Sequence, residues 1–162
     1  MSRMRIRRAS EEDFDAMMKI YEDARQFMRE NGNPNQWGRS WPSAKMVHRD
    51  IEDGSGYVCE TGEGKIAAVF CYKYGHADIY DSLEEGRWQK ESDEYGMIFR
   101  IASAKDVHGA AGYCLDWAYG QCGDLRIDTR GENIPMISLL TKKGFVCCGK
   151  VPSSVRKAFQ RV

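Results

Sequence analysis

The spacing of apolar positions changes several times along the chain, and each change marks an element. Residues 97–102 are bulky and apolar, broken only by Arg100, which predicts a buried strand. Residues 103–108 break that pattern. From Gly109 the apolar positions fall at Ala111, Cys114, Leu115, Ala118 and Cys122, the spacing of one helix face, and Gly123 predicts the stop. A short strand follows at 125–129. Asn133 then opens another helix, which Lys143, Gly144 and Phe145 close. Upstream, Met4 and Ile6 alternate with arginines and predict an edge strand over residues 4–8. Ser10 with Asp13 is close to a capping box, so a helix should start there, with Phe14, Met17, Met18, Tyr21 and Ala24 on its buried face and Asn31-Gly32 at its end. Residues 43–53 predict a second, shorter helix with Ala44, Val47 and Ile51 inward. Residues 57–60 and 65–72 predict a hairpin turning at 61–64. Residues 74–94 are polar and irregular, and a loop of that length in a small domain is usually functional or disordered; its aromatic residues speak against disorder. The last ten residues predict a closing strand beside 145–148.

Composition narrows the class. With 162 residues, 42% hydrophobic and 30% charged, the chain suits one well-filled core, so a single domain over 1–162 is expected. Twenty-four basic residues balance 24 acidic ones, which leaves no strong field to gather nucleic acid or an anionic membrane. Neither a membrane-length apolar run nor a signal-peptide pattern is present, and a cytoplasmic location is expected. Six cysteines without CxxC spacing read as small hydrophobes rather than as a disulfide framework or a zinc site, and no metal is expected.

The start of the helix after Gly109 carries the candidate chemistry. A helix leaves its first N–H groups without internal partners and is partly positive at that end, so it attracts phosphate. His108, Gly109, Ala110, Ala111 and Gly112 put minimal bulk and one titratable side chain there, which suits a pyrophosphate. Close helix-on-sheet packing would call for the same small residues. Taken with Asn133 and the Gly144-Phe145 ending, the order of elements resembles the GNAT superfamily of N-acetyltransferases, which bind acetyl-coenzyme A at a splayed pair of strands. The resemblance covers most of the chain and is sharpest over residues 101–149.

That resemblance implies an α/β fold with a mixed, mainly antiparallel central sheet flanked by helices. It implies transfer of an acetyl group from acetyl-coenzyme A to an amine acceptor by direct attack in a ternary complex. A domain that binds coenzyme A or a small ligand without turnover is the alternative. Donor contacts would come from the backbone of Ile101, Ala102 and Ser103, from His108, Gly109, Ala110, Ala111, Gly112, Tyr113 and Cys114, and from Asn133 and Leu140. His108 stands where relatives place an arginine or glutamine, and Leu140 where many place the tyrosine that protonates the leaving thiolate. Tyr113 and Cys114 are the nearest replacements for that acid. Gln36, Trp37 and Trp88 are expected to face the acceptor, with residues 74–94 inserted over its pocket. Glu60, His76 and Glu94 are candidate bases. Expected partners are a small-molecule or peptide amine, with no nucleic acid and no membrane; a homodimer is compatible with the sequence.

Overall fold

The computed structural model describes residues 3–162. Strand β1 (Met4–Arg8) leads through a short 3-10 turn (Glu11–Asp13) into helix α1 (Phe14–Glu30), followed by α2 (Ala44–Glu52), β2 (Gly56–Thr61) and β3 (Ile66–Gly75). A 3-10 turn at Asp78–Tyr80 interrupts the long loop before β4 (Tyr95–Ser103). Then come α3 (Ala110–Cys122), β5 (Leu125–Arg130), α4 (Ile134–Lys142), β6 (Val146–Lys150) and β7 (Arg156–Arg161). The expected boundaries hold closely because the punctuation is local. Ser10 and Asp13 form the capping box, Ser43 Oγ accepts from the Met46 amide, and the Asn133 side chain accepts from the Met136 amide.

The class is α/β with a mixed, mainly antiparallel sheet in the order β1-β2-β3-β4-β5-β7-β6. Pairing is antiparallel at β1–β2, β2–β3, β5–β7 and β6–β7, and parallel at β4–β5. A parallel pair needs a crossover, and α3 supplies it. The closing strand β7 does pair with β6, but it also lies between β6 and β5.

By its internal contacts the chain divides into two compact units, residues 1–72 with 99–117 and residues 73–98 with 118–162. In the first, Met17, Ile20 and Tyr21 of α1 and Val47 of α2 pack with Val58 of β2, Val69 of β3 and Ala102 of β4. Each large side chain so buried contributes about 1.5–3 kcal/mol. Ala44, expected inward, is exposed, while Asp50 is buried.

The second unit is centred on a charge. Arg126 of β5 is 1% exposed, its guanidinium carbon 4.2 Å from the Trp88 ring centre and 3.8 Å from that of Tyr95. Gln160 of β7 accepts from the amides of Gln89 and Lys90 and donates to Asp124 and to the Lys90 carbonyl. These bonds hold the irregular segment before β4 in place without regular secondary structure. Among the described residues no disulfide forms; Cys59, Cys71, Cys114 and Cys148 are buried, Cys122 is half-buried and Cys147 is exposed. Among the described residues no helix is long and apolar enough to cross a membrane.

Candidate functional site

In the first unit, β4 does not run straight. Arg100 has φ +53°, a left-handed conformation that costs a non-glycine residue about 1–2 kcal/mol. Three contacts hold it there. Arg100 Nε donates to Asp50 Oδ2 at 2.9 Å and Nη2 to Asp50 Oδ1 at 2.7 Å, a two-point pair whose side chains are only 13% and 6% exposed. The Arg100 carbonyl accepts from Tyr21 Oη at 2.7 Å. Burial pushes the Tyr21 hydroxyl well above its ordinary value, against the opposing pull of the Arg100 charge, so it stays a donor. Past the kink, Ile101 and Ala102 are buried and Ser103 is half-buried.

The chain then reaches the start of α3. The Ala104 amide donates to the Ala67 carbonyl at 2.8 Å, and Lys65 pairs with Asp106. Gly109 turns with φ +82° and has open space where a Cβ would stand. The Tyr113 amide bonds the Gly109 carbonyl at 3.0 Å, so the amides of Ala110, Ala111 and Gly112 lie in the first turn of α3, ahead of the backbone ladder. His108 and Gly109 are exposed and Ala110 is buried. An open glycine turn, small side chains and a helix start fit a pyrophosphate chemically.

Neither candidate acid of α3 is free for that task. Tyr113 Oη donates to the Met4 carbonyl at 2.8 Å, tying α3 to β1. Cys114 is fully buried; contact with the Cys59 thiol and then burial push its pKa up, so it stays a neutral thiol. Glu60 is a poor base for a plain electrostatic reason. Arg7 and then Arg5 hold its carboxyl below the ordinary value, with Arg7 Nε on Oε2 at 2.9 Å and Arg5 Nη2 on Oε1 at 3.0 Å. Gln36 Oε1 accepts from Asn33 Nδ2 at 3.0 Å. Trp37, expected to face the acceptor, is 8% exposed and packs on Tyr21 and Trp41, each at 5.6 Å between ring centres.

In the second unit, Trp88 is likewise committed inward. It is 4% exposed, and its Nε1 donates to the Tyr80 carbonyl at 2.8 Å while its ring covers Arg126. Asn133 caps α4 and donates through Nδ2 to Thr129 Oγ1 at 3.1 Å, and Leu140 is fully buried. Glu94 is exposed. His76 is accessible, with Nε2 2.7 Å from Asp81 Oδ1 and 3.4 Å from Asp78 Oδ1. These three exposed residues offer ligand atoms within 4.8 Å of one another, a grouping that cysteine spacing could not reveal. Tyr80 Oη donates to Asp128 Oδ2 at 2.6 Å, and Arg156 Nη1 meets Asp128 Oδ1 at 3.1 Å. Burial and then Asp128 push the Tyr80 hydroxyl well up.

Sequence reasoning missed Asp50, Tyr80, Arg126 and Asp128 as organising residues. The usable signal was a charge inside an apolar pattern: Asp50 between Val47 and Ile51, and Arg126 between Leu125 and Ile127.

No protein-family model matches the sequence, and no curated protein does. Solved structures do. An acetyltransferase of the GNAT family from Streptococcus agalactiae aligns with a TM-score of 0.90 at 30% identity, over 98% of this chain and 95% of that one. A GNAT-family acetyltransferase from Listeria monocytogenes aligns with a TM-score of 0.71 at 17% identity, over 98% and 94%. A ribosomal-protein-alanine N-acetyltransferase from Brucella melitensis aligns at 0.65 and 18%, over 98% and 99%. The last two share the fold. With 30% identity to the first over nearly the whole of both chains, this chain belongs to the GNAT family of acetyltransferases.

Proposed function

We propose that the chain is an N-acetyltransferase that moves an acetyl group from acetyl-coenzyme A to an amine acceptor by direct attack in a ternary complex. The observation that carries this reading is the open, glycine-turned start of α3 following the kinked half of β4. The first-turn amides of Ala110, Ala111 and Gly112 would take the pyrophosphate, beside Gly109 and His108, and the backbone of Ile101, Ala102 and Ser103 would take the pantetheine or the thioester oxygen. Bound acetyl-coenzyme A supplies the activated acyl group; the chain supplies orientation and N–H groups for the developing oxyanion. The reading treats residues 1–162 as one domain, since β3, β4 and α3 each contain residues of both units. A reducing, cytoplasmic setting is part of the reading, with four of the six cysteines buried as small hydrophobes.

The amine must lose its proton before it attacks. Glu60 is unsuited to take it, whereas His76 and Glu94 keep accessible side chains. The Tyr113 proton is committed to Met4, Cys114 is buried, and Leu140 has no proton to give, so the departing thiolate takes its proton from water. The acceptor is a small-molecule or peptide amine. The test is thermal: acetyl-coenzyme A at about 100 times its dissociation constant should add about 2.7 kcal/mol to stability. A folded protein with no melting shift in millimolar donor would refute the reading.

A further inference from the structure

We propose that Asp50 and Arg100 are positioning residues for acyl transfer: their two-point pair holds β4 in its left-handed turn and so sets the direction of the amides that follow it. The inference rests on the acetyltransferase reading, but goes beyond it by naming side chains that act through the backbone. An arginine at φ +53° in the middle of a nine-residue strand is a backbone state that persists only where its surroundings over-determine it. Here the surroundings are specific. Asp50 fills two donors of the guanidinium at 2.9 and 2.7 Å, and Tyr21 Oη fixes the Arg100 carbonyl at 2.7 Å. The Arg100 guanidinium carbon also lies 5.9 Å from the ring centres of Trp41 and Phe99.

Both ends of the residue are thus held, the side chain by α2 and the carbonyl by α1. A rotation of the Arg100 peptide turns the Ile101 amide, the first N–H beyond the kink. Pairing a buried cation with a buried carboxylate is a poor route to stability alone, since an apolar pair of similar size often does as well. A role in fixing backbone direction gives the pair a purpose that stability does not.

The test combines kinetics with a readout that needs no turnover. Asp50→Asn keeps the shape and removes the charge. It is expected to lower kcat by roughly 10- to 100-fold, up to the roughly 100-fold that misplacing a reacting group by about 1 Å can cost, while the dissociation constant for coenzyme A changes less than about threefold. Arg100→Lys, which retains a single-point pair, should keep more activity than Arg100→Gly. The backbone amide NMR signals of Ile101 and Ala102 should shift in ligand-free Asp50→Asn. If that variant does not fold, Asp50→Asn combined with Arg100→Gly removes both charges, while glycine accepts the left-handed turn without strain. The proposal is overturned if a folded variant keeps kcat within about twofold with unmoved amide signals, or if coenzyme A affinity falls as far as kcat. Should the wild type release no thiol with any amine, the acetyltransferase reading fails, and the amide signals alone decide the clamp.

Discussion

Replacing Gly109 by aspartate tests the donor site on electrostatics alone. Gly109 is exposed, turns with φ +82° and has nothing within 4 Å of the place a Cβ would take, so a small side chain fits without a clash. Asparagine has the same shape, and both residues tolerate the left-handed region better than most. Comparing Gly109→Asp with Gly109→Asn therefore cancels the backbone cost and leaves the charge. A carboxylate about 4 Å from a phosphate charge costs about 1 kcal/mol in bulk water and about 4 kcal/mol at an effective dielectric of 20. The aspartate variant should bind coenzyme A between about fivefold and about a thousandfold more weakly than the asparagine one, with the gap shrinking as salt rises. Without ligand the order reverses. A carboxylate at a helix start is worth about 0.3–1 kcal/mol, so the aspartate variant should melt no lower than the asparagine one. Calorimetric titration of both with coenzyme A decides it: equal affinities would mean that the phosphates do not lie at the start of α3.

Other perturbations follow from the same contacts. Arg7, the largest influence, and Ser10 hold the Asp13 carboxyl below its ordinary value. Its contribution is present above the unfolded carboxylate value and lost as pH falls through the folded one. Urea unfolding should therefore show Arg7→Met weaker than wild type at neutral pH, with the gap closing below about pH 5; a gap that widens in acid would contradict the sign. Trp88→Ala strips the ring from a buried cation and should destabilise by about 3–5 kcal/mol in denaturant titration, whereas a loss below about 1 kcal/mol would place the ring outside the core. Of the six thiols, Cys147 alone is exposed, so a thiol reagent should label it first and Cys147→Ser should abolish the fast phase.

Sequence pattern reached what is local. Ser10, Ser43, Asn133 and Gly123 are start and stop signals that act within a few residues, and the boundaries they imply are the observed ones. Arg100 stands out as the break in its strand, but its meaning lies in Asp50, far off in sequence and on a helix turn whose spacing points to Val47 and Ile51 as the buried residues. The inward commitment of Trp88 depends on Arg126 and Tyr80, and that of the Tyr113 hydroxyl on the carbonyl of Met4. Periodicity reports which face of an element is apolar. It carries no information about which distant polar group meets it, and the same limit hid the insertion of β7 between β5 and β6.

The central claim is acetyl transfer from acetyl-coenzyme A straight to an amine. Free-thiol release from acetyl-coenzyme A, followed with and without a panel of small amines, amino acids and peptide amino termini, tests it most directly. The account predicts little release with donor alone, and release that saturates with at least one amine and matches the acetylated amine formed. Donor binding with no amine-dependent thiol release, or equal release without any amine, would contradict it.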